Sequence, residues 1–253
     1  MSIKKRKYLL LVKISCLFML VVGISGCQSS KVVKNPVILS IGDSITEGAL
    51  KNFDSGPWYK NYNYFLDLEL KKLNYRPTFL GHGSYDSSAP RNEGHGGYCL
   101  GLIETNCNEV FTGKDKSILK NFDTYTNNID YVDIVILQGG INDIGAKISG
   151  EKISKLEDSF DLLIKKTESK FSDVKIIVIP PFYDGERREI VFEVKKIREY
   201  LKKYEDRENI IIIDSSEFDS REVLSIDNIH PDEEGYIKIS KTIIDEMTRR
   251  GWI

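Results

Sequence analysis

The feature that most constrains the fold is an alternation of apolar, β-branched runs with helical periods. Five short apolar runs, most of them rich in Val, Ile and Leu, predict buried strands at residues 37–41, 77–80, 133–137, 174–179 and 209–213. Such runs are typical of parallel strands that are covered on both faces. Between them, apolar residues at steps of three and four predict helices over residues 58–73, 153–164 and 190–204, with a last helix from Pro231. We therefore predict one α/β domain, a three-layer sandwich with a five-stranded parallel sheet and helices on both faces.

The first 27 residues are typical of an export signal. Residues 4–7 are basic, residues 14–24 form an apolar run, and Ser25-Gly26 stands directly before Cys27. The run is short for a bilayer core of ~30 Å. A secretory signal without a lipid anchor and a single N-terminal membrane helix remain alternative interpretations of these residues. We divide the chain into a signal (1–26), a tether (27–35) and the domain (36–253).

The charge, cysteine and histidine content indicates which partners, cross-links and metal sites to expect. Residues 1–26 hold five of the 36 Lys and Arg and none of the 38 Asp and Glu, which leaves 31 against 38, or −7, for the rest. An acidic body is repelled by phosphate backbones, so nucleic acid is not an expected partner. In an oxidising compartment Cys99 and Cys107 are expected to form a disulfide, with two free buried thiols as the alternative. The three His are far apart and no metal-binding spacing is present, so no metal and no cofactor are expected.

Polar segments follow three of the predicted strands. Gly42-Asp43-Ser44 comes after the first strand, where a Ser at a helix start would lie at the carboxyl edge of the sheet. Gly139-Gly140-Ile141-Asn142 follows the third strand, and Asp227-Asn228-Ile229-His230 comes after the fifth. A Ser hydroxyl needs a base within reach, and a His needs a carboxylate to fix its tautomer. Taken alone, each segment is better explained as a turn or a helix cap.

A long Gly-rich segment follows the second predicted strand. Residues 81–115 exceed an ordinary connection, and loops of this length inside a domain are usually functional. They include Glu93-Gly94-His95-Gly96-Gly97-Tyr98. This run lacks the Gly-Lys-Ser/Thr ending of a phosphate-binding loop, and it does not follow a strand directly as a dinucleotide fingerprint does.

Taken in order, these four segments resemble the SGNH, or GDSL, hydrolase family over nearly all of residues 36–250. The resemblance implies a flavodoxin-like strand order, with Ser44 as nucleophile, His230 as base and Asp227 as the acid that orients it. It implies an oxyanion hole made of the Ser44 N–H, the Gly97 N–H and the Asn142 side chain, with Gly96 and Gly94 as alternatives to Gly97. The glycine-rich segment looks like that of acetyl-xylan-esterase-type members, although the insertion with Cys99 and Cys107 has no match there. The end of the signal similarly resembles the lipobox of bacterial lipoproteins, which implies lipidation of Cys27.

We therefore expect an exported serine esterase, lipid-anchored to the bacterial cell envelope, that hydrolyses small O-acyl esters, foremost O-acetyl groups on carbohydrate. Two alternatives remain open at this point. One is a lysophospholipase or thioesterase of the same fold, and the other is a non-catalytic, carbohydrate-binding surface lipoprotein. The sequence leaves the acyl chain length, the alcohol and the oligomeric state undetermined.

Overall fold

Five parallel strands form the central sheet. The computed structural model describes residues 34–48, 60–83, 89–102, 116–225 and 227–253. The strand order is β2-β1-β4-β5-β6, and every pair is parallel. The predicted sheet and its flavodoxin-like order are confirmed. The bounds are β1 Val37–Gly42, β2 Thr78–Leu80, β4 Ile134–Gln138, β5 Lys175–Ile179 and β6 Ile210–Ile212.

A two-residue strand inside the long loop is an addition to this sheet. β3, Glu93–Gly94, pairs in parallel with the end of β1, with Glu93 opposite Ile41 and Gly94 opposite Gly42. It is too short and too polar to stand out as an apolar run. β3 fixes this part of the loop against the carboxyl end of β1.

Seven α-helices connect and flank the strands in the parts of the chain that the structure describes. They are α1 Ser44–Glu47, α2 Tyr62–Lys72, α3 Ile118–Tyr125, α4 Ile141–Ile148, α5 Leu156–Lys170, α6 Arg188–Leu201 and α7 Glu233–Arg249. Two short 3₁₀ helices, Lys202–Tyr204 and Ser215–Phe218, follow α6 and β6.

All four predicted helices begin at other residues than the sequence indicated. The helices predicted from residues 58 and 190 begin at Tyr62 and Arg188. The last helix begins at Glu233 and not at Pro231, because the Asp232 carboxylate accepts the Gly235 N–H at 2.8 Å and so occupies the cap position. The helix predicted from residue 153 begins at Leu156. The apolar stripe therefore ran on into the connection before the helix.

The two faces of the sheet carry separate apolar cores. Leu39 and Ile41 point to the side covered by α3, α4, α5 and α6, whereas Ile38 points to the side covered by α2 and α7. This follows from the period of two along a strand. Full burial of each such side chain stabilises the fold by about 1.5–3 kcal/mol. Helices on both faces confirm the three-layer sandwich.

Several predictions concern residues outside the described parts of the chain. These are the signal over residues 1–26, the lipidation of Cys27, most of the tether, and Cys107. Cys99 is fully buried, but its disulfide with Cys107 stays a prediction. Within the described ranges, no helix is both long and apolar enough to cross a membrane.

Candidate active site

Ser44 lies at the junction between the first strand and the first helix. β1 ends at Gly42, the Asp43 side chain caps α1 by accepting the Ile45 N–H at 3.0 Å, and Ser44 is the first helical residue. A Cβ at Gly42 would stand 2.1 Å from Thr46 Oγ1 and 2.6 Å from the Gln138 carbonyl oxygen, so this turn requires glycine. The tight turn thus places Ser44 at the carboxyl edge of the sheet.

His230 and Asp227 come to Ser44 from the segment before α7. Ser44 Oγ and His230 Nε2 are 2.8 Å apart, although 186 positions separate these residues in sequence. His230 Nδ1 lies 2.7 Å from Asp227 Oδ2. The structure therefore joins the three predicted side chains in one continuous chain of hydrogen bonds.

The Asp227 carboxylate is held by its own turn. Its Oδ1 accepts the backbone N–H groups of Ile229, at 3.0 Å, and His230, at 2.9 Å, as well as the Ser225 hydroxyl at 2.8 Å. Asn228, inside the turn, has a positive φ of 60°, a conformation that Asn tolerates better than most residues. The turn directs Oδ2 at the imidazole.

These hydrogen bonds also keep Asp227 ionised. Burial alone would raise its pKa, but the hydrogen bonds from the His230 ring and from the two backbone N–H groups outweigh burial, and the net pKa lies well below the ordinary 3.8. A carboxylate that stays charged can accept the Nδ1–H of His230 and leave Nε2 free to accept the Ser44 proton.

A second carboxyl group lies buried next to Ser44. Burial raises the pKa of Asp43 from 3.8 to about 6, although the Ile45 N–H, the nearby His230 and Gln138 all act in the opposite direction. Asp43 is fully buried. Its position directly before Ser44 makes it part of the support for the turn.

The Gly-rich loop offers one backbone donor to the site. The Gly94 N–H goes to Asn92 Oδ1 at 2.8 Å, and the Gly96 N–H hydrogen-bonds to the Glu47 carboxylate. The Gly97 N–H has no acceptor among the described residues. Of the three glycines considered for the oxyanion hole, Gly97 is therefore the one whose N–H is available, and its φ of 74° is one that glycine adopts freely.

Asn142 and Asp143 fasten this loop to the first turn of α4. Asn142 Nδ2 donates to the Tyr98 carbonyl at 2.9 Å, which leaves its second N–H for another acceptor. The Asp143 carboxylate accepts the N–H groups of Leu100 and Gly101, both at 2.8 Å. Asn142 and the peptide group between Tyr98 and Cys99 are thereby held side by side.

Three acidic residues that support the site were not identified from the sequence. Asp143 was visible only as the neighbour of Asn142, and Glu47 only as the residue one turn after Ser44. Glu93 is buried and contacts both His82, at 2.6 Å, and His95, at 3.2 Å. Each of these residues acts through contacts that form only when the chain folds. No local sequence pattern encodes such contacts.

The arrangement suits acyl transfer more than metal chemistry. A hydroxyl in contact with an imidazole, close to N–H groups without acceptors, combines a nucleophile, a base and donors for a developing negative charge. Across the described ranges, no group of three or more His, Cys, Asp or Glu side chains is arranged to hold a metal ion.

Comparison with solved structures places the fold among carbohydrate esterases. A family 3 carbohydrate esterase from Clostridium thermocellum is 21% identical, with a TM-score of 0.61 over 86% of this chain and 98% of that one. A family 3 carbohydrate esterase from Talaromyces cellulolyticus is 18% identical, with a TM-score of 0.61 over 85% and 98%. Axe2, an acetylxylan esterase from Geobacillus stearothermophilus, is 17% identical, with a TM-score of 0.62 over 86% and 96%. At these identities the likeness concerns the fold.

The sequence itself gives the family. A comparison with curated protein sequences finds no match. A family model described as GDSL-like lipase/acylhydrolase matches residues 40–237, which include Ser44, Asn142, Asp227 and His230. Since the match spans more than half of the chain, this protein belongs to the GDSL-like lipase/acylhydrolase family.

Proposed function

We propose that this protein is a serine esterase that hydrolyses small O-acyl esters, foremost O-acetyl groups on carbohydrate. The observation that carries the proposal is the hydrogen-bond chain from Ser44 Oγ through His230 to Asp227, with distances of 2.8 and 2.7 Å. A binding module has no need of a hydroxyl joined in this way to an oriented imidazole.

In the first half of the reaction Ser44 attacks the ester carbonyl carbon. His230 Nε2 takes the Ser44 proton, and Asp227 stabilises the imidazolium that forms. The negative oxygen of the tetrahedral intermediate accepts hydrogen bonds from the N–H groups of Ser44 and Gly97 and from the Asn142 side chain. His230 then protonates the leaving alcohol, and the acyl group stays on Ser44.

In the second half a water molecule releases the acyl group. His230 removes a proton from this water, which attacks the acyl carbonyl through a second tetrahedral intermediate. The same three donors stabilise that intermediate, and His230 returns the proton to Ser44 Oγ. The products are a carboxylic acid and the regenerated serine.

The choice of acetyl groups is supported by the structural neighbours. Two are named as family 3 carbohydrate esterases and one as an acetylxylan esterase. At 17–21% identity these names do not carry over by themselves, so acyl length has to be measured on this chain.

The test is a series of nitrophenyl esters with acyl chains of two to twelve carbons, together with acetate release from acetylated xylo-oligosaccharides. We expect activity on the shortest chains, and loss of it in Ser44→Ala. Ser172→Ala, which removes a hydroxyl from an exposed turn, is the matched control and should keep full activity.

Other results would point elsewhere. A preference for eight or more carbons would favour a lysophospholipase or thioesterase over an acetyl esterase. If wild type and Ser44→Ala were equally silent on all esters while the protein bound xylo-oligosaccharides, the hydrolytic assignment would be wrong.

A further inference from the structure

Glu47 joins the helix that begins at Ser44 to the loop that carries Gly97. It lies three residues after Ser44 in α1, so the two side chains share one side of the helix. A Cβ on Gly96 would stand 2.6 Å from Glu47 Oε2 and 3.9 Å from Ser44 Cβ. Gly96 is therefore in contact range of both residues.

The backbone of the loop is pressed equally closely onto the same turn. A Cβ on Gly94 would stand 2.1 Å from the Glu47 backbone nitrogen and 2.4 Å from its Cα. The loop thus touches Glu47 twice, through the backbone at Gly94 and through the carboxylate at Gly96. Between these contacts the His95 N–H donates to the Gly42 carbonyl at 2.9 Å.

The Glu47 carboxylate lies against Gly96, and the Gly96 N–H is the backbone donor that acts on it. Burial raises its pKa, while this hydrogen bond and the nearby His95 oppose the rise. Half-burying a carboxylate with a single backbone N–H as its partner costs free energy of folding. This cost suggests that the contact serves the site. The contact with the Gly96 N–H lies next to the peptide group between Gly96 and Gly97, which carries the Gly97 N–H.

We propose that Glu47 is a positioning residue of the oxyanion hole: its carboxylate accepts the Gly96 N–H and so turns the next N–H, that of Gly97, towards the acyl oxygen. This inference rests on the proposed esterase function. The Glu47 carboxylate acts here as a hydrogen-bond acceptor, and its charge is not required.

The test compares two uncharged side chains of similar length. Glu47→Gln keeps an oxygen that can accept the Gly96 N–H, whereas Glu47→Met fills the space with a weak acceptor. On a short-chain nitrophenyl ester we expect kcat of Glu47→Gln to stay within about 3-fold of wild type. We expect kcat of Glu47→Met to fall about 10- to 100-fold, with KM nearly unchanged. Complete loss of one oxyanion donor lowers the rate by about 10²–10³, and in this variant the Gly97 N–H is displaced but not lost.

Glu69→Met, on the outer side of α2 where Glu69 pairs with Lys72, is the matched control and should behave as wild type. Thermal unfolding of all variants is measured alongside the kinetics. If Glu47→Met does not fold, Glu47→Ala, which also lacks the acceptor oxygen, takes its place, and the same fall in kcat relative to Glu47→Gln is expected.

Three outcomes would overturn the inference while leaving the esterase proposal intact: unchanged kcat in Glu47→Met, equal loss in both variants, or a raised KM with kcat unchanged. The last would identify Glu47 as a substrate contact. An inactive wild-type protein would remove the esterase proposal and this inference with it.

Discussion

At the scale of single residues, hydrogen bonds hold the polar side chains of the site in fixed orientations. Asp227 accepts three hydrogen bonds on one oxygen and the imidazole on the other. Asn142 uses one N–H to hold the Tyr98 carbonyl. Such contacts fix each side chain in one orientation. In the proposed mechanism, the donors that remain free are therefore preorganised for the developing oxyanion.

Asn142 is expected to act on turnover and not on substrate affinity. In Asn142→Ala one oxyanion donor is lost, so kcat should fall by about 10²–10³ while KM changes little. The lost contact to Tyr98 is a single, partly buried hydrogen bond, so the fold should persist. Steady-state kinetics and circular dichroism on the same samples check both statements, and unchanged turnover would remove Asn142 from the hole.

Asp143 should make the stability of the protein depend on pH. Burial raises its pKa from 3.8 to about 6, against the opposing hydrogen bonds from Gly101 and Leu100. Between these two values the folded state binds a proton that the unfolded state has released, so the contribution of Asp143 to stability falls as pH rises through this window. At one pKa unit per ~1.4 kcal/mol, the full change is about 3 kcal/mol.

Asp143→Asn removes this titration. The free energy of unfolding of Asp143→Asn, minus that of wild type, should therefore rise by up to about 3 kcal/mol between pH 4 and pH 7.5. The altered hydrogen bonds change this difference by an amount that does not depend on pH. Urea unfolding of both proteins at several pH values measures the difference. A difference that stays constant with pH would show that Asp143 does not titrate in this range.

At the scale of elements, the site is built where strands end and short helices begin. β1, β3 and β4 bring Ser44, the Gly-rich loop and Asn142 to one edge, as expected for parallel strands. The close approach of β3 to α1 requires glycine at position 94, whereas Gly145, inside α4, has room around it.

Two alanine substitutions test this contrast. In Gly94→Ala the new Cβ would meet the Glu47 backbone at 2.1 Å, so the loop has to move, and we expect a loss of about 1–3 kcal/mol or more together with reduced turnover. In Gly145→Ala nothing lies within 4 Å and the residue is inside α4, so a gain of about 0.5–1 kcal/mol is expected. Thermal or urea unfolding compares the two, and similar effects of both would contradict the contrast.

The elements differ in how far the sequence predicts them. Four of the main strands were predictable because Val, Ile and Leu runs such as that of β5 are buried. The prediction of a buried strand was wrong for β2, Thr78–Leu80, which lies at the edge of the sheet and is partly exposed. α3 and α4 are amphipathic, but with eight residues each they span only about two turns, and such short helices were not identified from the sequence. β3 is held by backbone contacts, which leave no trace in residue type. The segments around Ser44, Asn142 and His230 were visible, but the supports from Glu47 and Asp143 depend on folding.

At the scale of the whole molecule, the two cores on opposite faces of the sheet act as one frame for the site. α7 packs on the α2 side, while α4 packs on the other, so residues from both layers converge on Ser44. Export and lipid attachment at Cys27 stay predictions.

The distance along the chain between Ser44 and His230 has a consequence for biosynthesis. A ribosome adds about 5–20 residues per second, so the 186 positions between them correspond to roughly 10–40 s. During this interval the nascent polypeptide carries the serine without its imidazole partner. A truncated product that ends before His230 would therefore hold an ordinary, unactivated hydroxyl.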